Sequence, residues 1–439
     1  MISRSRPLRV AAALGGIALV ATALAACSSG GSSSSGKTSI TFLTQNAGSQ
    51  PAQGKALIAA FEKANPNITV KMDTQPPGTE GDNLMKTKLS TGDMDNVFFY
   101  NSGSLLQALH PDSTMVNLSD QSWVKDLNKD FKAVVSTDKG LYGAPYGTSF
   151  GGGVMYNKKI YSQLGLSVPT SWAEFLSNSE TIKTKLPDVA PIIQTFGDTW
   201  TSQLFVLGDF ANVATRDPKW AADYTANKAK YVDSPGIEGF SHQAESFKDG
   251  LYNKDFASLT NAQGMTLLAT GKGAQYPMLT AAIATVQQNN PETVNDIGFF
   301  ALPADKAADT AATIWQPGAL YIPKTTTGAK LDAAKKFVAF ANSKAGCEVQ
   351  NKTVTPSGPY VTSACTLPSD VPLLIADIQK YFDSGKTAPA LEFLSPVKGP
   401  NLENITVQVG SGISSAKDGA ALYDDDVKKQ AQQLGLKGW

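Results

Sequence analysis

Amide, carboxylate and aromatic side chains stand near the predicted ends of strands and connections, where ligand groups gather in α/β proteins. Asp, Asn and Gln side chains hydrogen-bond to hydroxyl groups, and an aromatic plane packs against an apolar CH face. Together these residue types can bind a polyhydroxylated small molecule. The candidate ligand-binding residues are Gln45, Asn46, Asp95, Tyr146, Asp198, Trp200, Tyr276 and Trp315.

A different chemistry is suggested by residues 147–151, whose sequence Gly-Thr-Ser-Phe-Gly fits the G-x-S-x-G pattern of a serine nucleophile. That pattern requires a helix directly after Ser149, and the glycines at 151–153 do not favour one. Of the two histidines, only His242 follows the serine, and its polar neighbours indicate a solvated helix face. We therefore expect no catalytic residue, and a secreted serine hydrolase using Ser149 is the alternative hypothesis.

Alternating strands and helices would position these residues. β-branched and apolar runs at residues 39–43, 68–72 and 96–100 predict strands, with helices between them, so we expect an α/β lobe with a mostly parallel sheet. Residues 147–153 hold four glycines, which allow the backbone to flex. We predict a crossing between two lobes there. Ser171 and Glu174 have the spacing of a capping box, which predicts a helix start.

Two blocks carry a family resemblance: GLYGAPY at residues 140–146 and YNKKIYSQLGLSVPTSWAEF at residues 156–175. They resemble the signature of extracellular solute-binding proteins of ABC importers, in the branch that binds maltodextrins and other oligosaccharides. The later segments GKGAQYP, IGFFALP and ALYIPK follow in the family's order. The resemblance implies a two-lobed, periplasmic-binding-protein-like (type II) α/β fold with three hinge crossings and a sheet flanked by helices in each lobe.

The resemblance also implies domain limits and partners. We predict lobe 1 at residues 39–147 plus 280–317 and lobe 2 at residues 148–279 plus 318–439, with further crossings at residues 274–278 and 318–323. The lobes would close over a di- or oligosaccharide and deliver it to permease subunits in the membrane. One departure concerns residues 279–281, Leu-Thr-Ala, where the family frequently has a Gly-Ser-Trp-like group. A stacking platform there is missing or supplied from elsewhere.

The amino terminus predicts export. Three arginines within residues 4–9 precede an apolar run of about 14 residues, shorter than the roughly 20 that span a membrane. Leu-Ala-Ala-Cys at residues 24–27 resembles the bacterial lipobox, in which Cys27 is acylated; ordinary cleavage near Ala26 is the alternative. We predict a signal peptide at residues 1–26, a lipid-anchored Ser/Gly tether at 27–38 and a location outside the cytoplasm, anchored to the cell membrane.

Charge and cysteine content set further limits. The 38 basic residues balance 38 acidic ones, so the chain lacks the basic excess expected of a nucleic-acid partner. In an exported protein, the isolated pair Cys347 and Cys365 predicts a disulfide. Neither cysteine belongs to a C-x-x-C motif or adjoins a histidine, so we expect no metal, and we also expect no cofactor. A chain of 439 residues is too long for one core, and we predict a monomer of two or three domains.

Overall fold

The computed structural model describes residues 37–439. The predicted signal peptide, the predicted lipidation site Cys27 and nearly all of the tether lie outside the described residues. Within residues 37–439, none of the helices has the length and apolar character needed to cross a membrane.

The described residues form thirteen strands. They are β1 (Thr38–Gln45), β2 (Ile68–Gln75), β3 (Val97–Tyr100), β4 (Ser136–Thr137), β5 (Gly140–Leu141), β6 (Ala144–Pro145), β7 (Phe150–Asn157), β8 (Ala190–Ile192), β9 (Gly273–Leu279), β10 (Ile297–Phe300), β11 (Ala312–Trp315), β12 (Ala319–Tyr321) and β13 (Thr387–Pro389).

Eighteen α-helices lie in the same part of the chain. They are α1 (Gln50–Ala64), α2 (Gly78–Thr91), α3 (Ser104–Gln107), α4 (Pro111–Thr114), α5 (Lys129–Val134), α6 (Lys158–Leu164), α7 (Trp172–Lys185), α8 (Leu204–Gly208), α9 (Phe210–Arg216), α10 (Trp220–Thr225), α11 (Glu238–Lys248), α12 (Asn261–Ala269), α13 (Ile283–Asn289), α14 (Gly328–Ala341), α15 (Lys344–Thr353), α16 (Leu374–Asp383), α17 (Leu402–Gly410) and α18 (Ala416–Gln433). Short 3₁₀ segments occupy Ser122–Asp126, Thr199–Gln203, Thr280–Ala282, Pro291–Asp296 and Leu391–Phe393.

The first lobe is built on a five-stranded sheet with the order β2-β1-β3-β12-β6. β1 runs parallel to β2 and β3, whereas β12 is antiparallel to β3 and β6. Phe42 of β1 packs against Phe337 of α14, and Phe61 of α1 packs against the same ring, with centroids 5.4 and 5.1 Å apart. All three rings are fully buried, so burial of aromatic surface holds α1 and α14 on the sheet.

The second lobe is built on a sheet with β7 at its centre. β7 is antiparallel to β9, β10 and β11, while β8 is parallel to β9 and β13 to β11. The two-lobed α/β fold class is confirmed, but the pairing is mixed and not mostly parallel. The alternation of strands and helices does not set strand direction, because connections of this length allow a strand to run either way.

The strand pairing differs from the predicted lobe limits. β10 and β11, predicted in lobe 1, pair with β7 in the second sheet, and so does β9, the predicted second crossing. β12 and α14, predicted in lobe 2, belong to the first lobe, because β12 pairs with β3 and Phe337 packs on Phe42. The chain therefore crosses between the lobes at residues 146–149 and at 316–318. A third crossing lies between Val361, which packs in the first lobe, and Leu367, which packs in the second.

The glycines of residues 147–153 do not act as one flexible joint. Gly147 has φ of 108°, a backbone conformation that favours glycine, and it lies between the two sheets. Gly151–Gly153 instead lie inside β7 and are buried. A Cβ on Gly152 would overlap the ring of Trp315, and one on Gly153 would lie 2.5 Å from the carbonyl oxygen of Phe300. These strand glycines therefore serve close packing.

The predicted start of α7 is confirmed. The Ser171 side chain accepts from the backbone N–H of Glu174, and the Glu174 carboxylate accepts from that of Ser171, which completes the capping box. Trp172 at the first helical position is buried and stacks on His242 with centroids 3.9 Å apart. It serves packing, as its position in the first turn of a helix predicts.

Candidate ligand-binding site

Two adjoining pockets lie between the lobes, near the carboxyl ends of β1, β2 and β3. The first, the crossing pocket, has a volume of about 260 Å³, is lined by residues of the first two chain crossings and reaches Tyr360 beside the third. Its lining residues are Gln45, Ser49, Gln50, Gln53, Phe99, Asn101, Tyr146, Gly147, Thr148, Phe150, Ala281, Pro317, Gly318, Gln350, Val354, Thr355, Pro356, Ser357 and Tyr360. Both lobes therefore contribute to this pocket.

The second, the charged pocket, has a volume of about 250 Å³ and also draws on both lobes. Its lining residues are Gly78, Asp82, Asn83, Lys86, Asn101, Ser104, Leu105, Ala108, Trp200, Gln203, Pro396, Lys398, Gly399, Pro400, Glu403 and Gln430. Asn101 follows β3 directly and lines both pockets, so the two adjoin. A ligand that extends past Asn101 would touch both linings.

Tyr146 lines the crossing pocket, but its hydroxyl is buried. Its side chain is buried against Phe99 and Phe42, with centroids 5.6 and 6.2 Å away. Its hydroxyl has no hydrogen-bond partner among the described residues. Burial raises the pKa of the Tyr146 hydroxyl, so the group stays protonated and can donate. A buried polar group without a partner is costly, so the unpaired Tyr146 hydroxyl lowers the stability of the fold.

One wall of the crossing pocket is a segment held from several sides. The backbone N–H of Ser357 donates to Thr148 Oγ1 at 3.1 Å, and its carbonyl accepts from Thr280 Oγ1 at 2.9 Å. Tyr360 donates to Asn351 Oδ1 at 2.7 Å. The disulfide between Cys347 and Cys365 closes the loop that carries this wall, with Cα atoms 5.5 Å apart.

The charged pocket contains ionisable groups of both signs. Burial raises the pKa of Asp82, an effect that the Tyr100 hydroxyl and the ammonium groups of Lys86 and Lys398 partly oppose. Asp82 and Lys86 belong to the first lobe, whereas Lys398 belongs to the second and pairs with Glu392 at 3.2 Å. Charges on the two lobes therefore act on one another across this pocket.

The structure brings three of the predicted residues to the pockets. Gln45 at the end of β1 and Tyr146 line the crossing pocket, and the half-buried Trp200 lines the charged pocket. Asn46, next to Gln45, is exposed and lies outside both linings. Trp315 lies just behind the crossing pocket, where it packs parallel to Phe150 at 6.3 Å and donates from Nε1 to Glu392.

Three predicted residues lie elsewhere and have structural partners. Asp95 precedes β3, at the strand end opposite the cleft, and pairs with Lys88 at 2.9 Å. Asp198 accepts from the backbone N–H of Asn261, which fixes the start of α12. Tyr276 is buried in β9 and bonds to Thr195 and Asn261. Gln45 ends β1 and Asn101 follows β3 at the strand ends that face the pockets, whereas Asp95 lies before β3.

Several pocket residues were missed. The sequence could have indicated Asn101 as a pocket residue, because it directly follows the strand predicted at residues 96–100. Phe150 and Thr148 lie within the glycine-rich segment that was predicted to be a flexible joint. Asp82, Lys398 and their neighbours reach the charged pocket only through the packing of α2 and of residues 396–403, and the sequence carries no local signal for that.

The serine-nucleophile alternative fails on geometry. Ser149 is buried, and its Oγ donates to the carbonyl oxygen of Pro359 at 2.8 Å. The chain after it enters β7, so the helix that the G-x-S-x-G pattern requires directly after the serine is absent. His242 is buried, not solvated as predicted, since its ring stacks on Trp172 and its Nε2 bonds to Asp305 at 3.0 Å.

Asp209, near His242, makes stability depend on pH. Its buried carboxyl accepts from Asn212 through Oδ1, while Oδ2 has no partner among the described residues. Burial raises the pKa of Asp209 to about 7, opposed by His242. Because this value exceeds the unfolded one, the folded state holds an extra proton between about pH 4 and pH 7, and stability falls as pH rises through that window.

Asp209→Asn is expected to remove this loss, because the amide stays neutral. The variant should exceed the wild type in free energy of unfolding at pH 8 by on the order of 4 kcal/mol, and the two should converge toward pH 4. Thermal denaturation from pH 4 to pH 8 measures the difference. If the stability of the variant falls with rising pH as much as that of the wild type, the pH dependence comes from another group.

Comparison with known proteins decides the family. Residues 47–346 match the family described as bacterial extracellular solute-binding protein, and this span is more than half of the chain. The chain belongs to the bacterial extracellular solute-binding protein family. The resemblance predicted from the sequence is thus confirmed, and family membership places this solute-binding protein outside the cytoplasm.

Curated relatives and solved structures extend the comparison. The solute-binding protein is 26% identical over 336 residues to the multiple sugar-binding protein of Streptococcus mutans serotype c, covering 74% of this chain and 77% of that protein. It is 24% identical over 440 residues to the melibiose/raffinose/stachyose-binding protein MelE of Bacillus subtilis strain 168, covering 96% and 97%. A solved chitin oligosaccharide binding protein has the same fold, with a TM-score of 0.77, 19% identity and coverage of 90% and 99%.

Proposed function

We propose that this solute-binding protein captures an oligosaccharide between its lobes and serves an ABC importer. The observation that carries the proposal is the pair of adjoining pockets, in which amides, hydroxyls and aromatic rings from both lobes converge. Amides and hydroxyls match the hydroxyl rim of a sugar, and the rings of Trp200 and Phe150 match its CH faces. The names of both curated relatives refer to sugars, which supports this ligand class.

The capture mechanism follows from the lining. A solute bound in either pocket touches groups of both lobes, so its contacts are complete only when the lobes are together. Its greater affinity for that arrangement shifts the population toward closure. The net affinity is the contact energy of both lobes less the cost of closing and of removing water from the hydroxyl groups.

Delivery and anchoring are part of the same proposal. Permease subunits in the membrane would recognise the closed form and receive the solute. The lipobox-like Leu-Ala-Ala-Cys at residues 24–27 supports anchoring through Cys27, and the Ser/Gly tether would hold the body near the membrane as a monomer. Mass spectrometry of the protein from its native membrane should find Cys27 acylated at the mature amino terminus.

Titration calorimetry against a sugar panel tests the ligand class. The panel contains melibiose, raffinose, stachyose, maltotriose and chitin oligosaccharides, with a polyamine and a tripeptide as non-sugar solutes. At least one sugar is expected to bind with saturable heat. Heat from the polyamine or tripeptide, with none from any sugar, would contradict the proposal.

Trp200→Ala is expected to weaken sugar binding at least tenfold, about 1.4 kcal/mol, because it removes a half-buried ring from the lining of the charged pocket. Trp439→Ala is the matched control, since that half-buried tryptophan bonds to Thr225 and lines neither pocket. Calorimetry gives the affinities, and thermal denaturation verifies that both variants fold. Equal affinity in wild type and Trp200→Ala would make Trp200 a packing residue.

A further inference from the structure

The crossing pocket is uncharged throughout. Among the described residues that line it, the polar side chains are amides and hydroxyls, and none is acidic, basic or a histidine. Several of these groups already bond within the protein, as Gln53 does to Gln350 at 3.1 Å and Thr148 to Ser357 at 3.2 Å. The pocket can thus hydrogen-bond to neutral hydroxyl groups, but it holds no ion to neutralise a charged one.

The adjoining charged pocket has the opposite character. Lys86 and Lys398 supply positive charge, and Asp82 and Glu403 supply carboxylates. Lys86 lies on the exposed side of α2, and Lys398 is about one-fifth exposed beside Glu392. A ligand group of either sign can find an opposite charge here while staying in contact with water.

We propose that the cleft distinguishes which end of an oligosaccharide carries a charge. This inference rests on the proposed function and deepens it. The terminal unit in the crossing pocket must be neutral, because an ion there meets no opposite charge in the lining, whereas the charged pocket offers one. The unit in the charged pocket can carry a carboxylate. Uronic acids and aldonic acids are therefore rejected at one end of the ligand and accepted at the other.

The test uses matched acidic forms of neutral disaccharides. Melibiose, maltose, cellobiose and N,N′-diacetylchitobiose are each titrated into the protein, and those that bind are compared with two acids. One acid is the aldonic form, with the carboxylate on the opened reducing-end unit and the neutral alditol as its reference, and the other is the uronosyl form, with the carboxylate on the opposite unit and the disaccharide itself as its reference. One acid should bind within about fivefold of the neutral sugar, and the other at least a hundredfold more weakly.

A charge-gain variant identifies the rejecting pocket. Gln45→Lys places an ammonium group at the half-exposed end of β1, in the crossing-pocket lining, and should improve binding of the rejected acid at least tenfold. Asn46→Lys is the matched control, because its exposed side chain adds the same charge outside both linings. Thermal denaturation verifies that both variants fold.

The outcomes separate the two proposals. If no neutral sugar of either panel binds, the proposed function fails, and this inference fails with it. If neutral sugars bind but both acids bind equally well, or both are rejected, the proposed function stands and the inference is overturned. A rejected acid that Gln45→Lys does not rescue, or that Asn46→Lys rescues equally, would also overturn the assignment of the neutral end to the crossing pocket.

Discussion

Replacing Cys347 and Cys365 together by serine is expected to lower the free energy of unfolding by about 3 kcal/mol, from the entropy of closing a loop of about 19 residues. The loop carries Ser357 and Tyr360, which line the crossing pocket. Loosening it should therefore also weaken sugar binding severalfold. Urea denaturation measures the first effect, and calorimetry on the folded variant measures the second.

Reduction supplies the control for the disulfide prediction. Dithiothreitol should bring the wild type to the stability of the double variant and should leave the double variant unchanged. A double variant with the wild-type stability would show that the loop is held by its hydrogen bonds alone. Reduced stability with unchanged sugar affinity would confine the disulfide to a stabilising role.

Gly152→Ala is expected to destabilise the second lobe by about 3 kcal/mol and to reduce sugar binding, because the added methyl group would occupy the position of the Trp315 ring. That ring has little freedom to move, since it packs parallel to Phe150 and donates to Glu392 at 3.1 Å. Displacing it also displaces Phe150, which lines the crossing pocket. Denaturation and calorimetry report the two effects.

Gly208→Ala is the matched control. Gly208 ends α8 and faces β7, and a Cβ there would meet its nearest atom, the Gly152 carbonyl carbon, at an ordinary 3.8 Å. The substitution should change the free energy of unfolding by less than about 1 kcal/mol. Equal stability of the two variants would contradict the view that β7 needs glycine for close packing against Trp315.

Local patterns predicted the elements and part of the site. The capping box of Ser171 and Glu174 is complete within four residues, so its prediction needed nothing from the rest of the fold. Gln45 ends a strand whose apolar pattern is plain in the sequence and lines the crossing pocket, and Tyr146 and Trp200 also line the pockets. Asp95 lies away from both pockets, because it precedes β3 at the strand end opposite the cleft.

The sequence by itself determined the family, the two-lobed α/β class and the order of elements, since these depend on short patterns and spaced motifs. Only the tertiary structure decided that β10 and β11 join β7 while β12 joins β3, because strand pairing depends on contacts between distant segments. The tertiary structure alone also determined which residues line the two pockets. Asn101, Phe150 and Lys398 come together only when both sheets have formed and the crossings have set their distance.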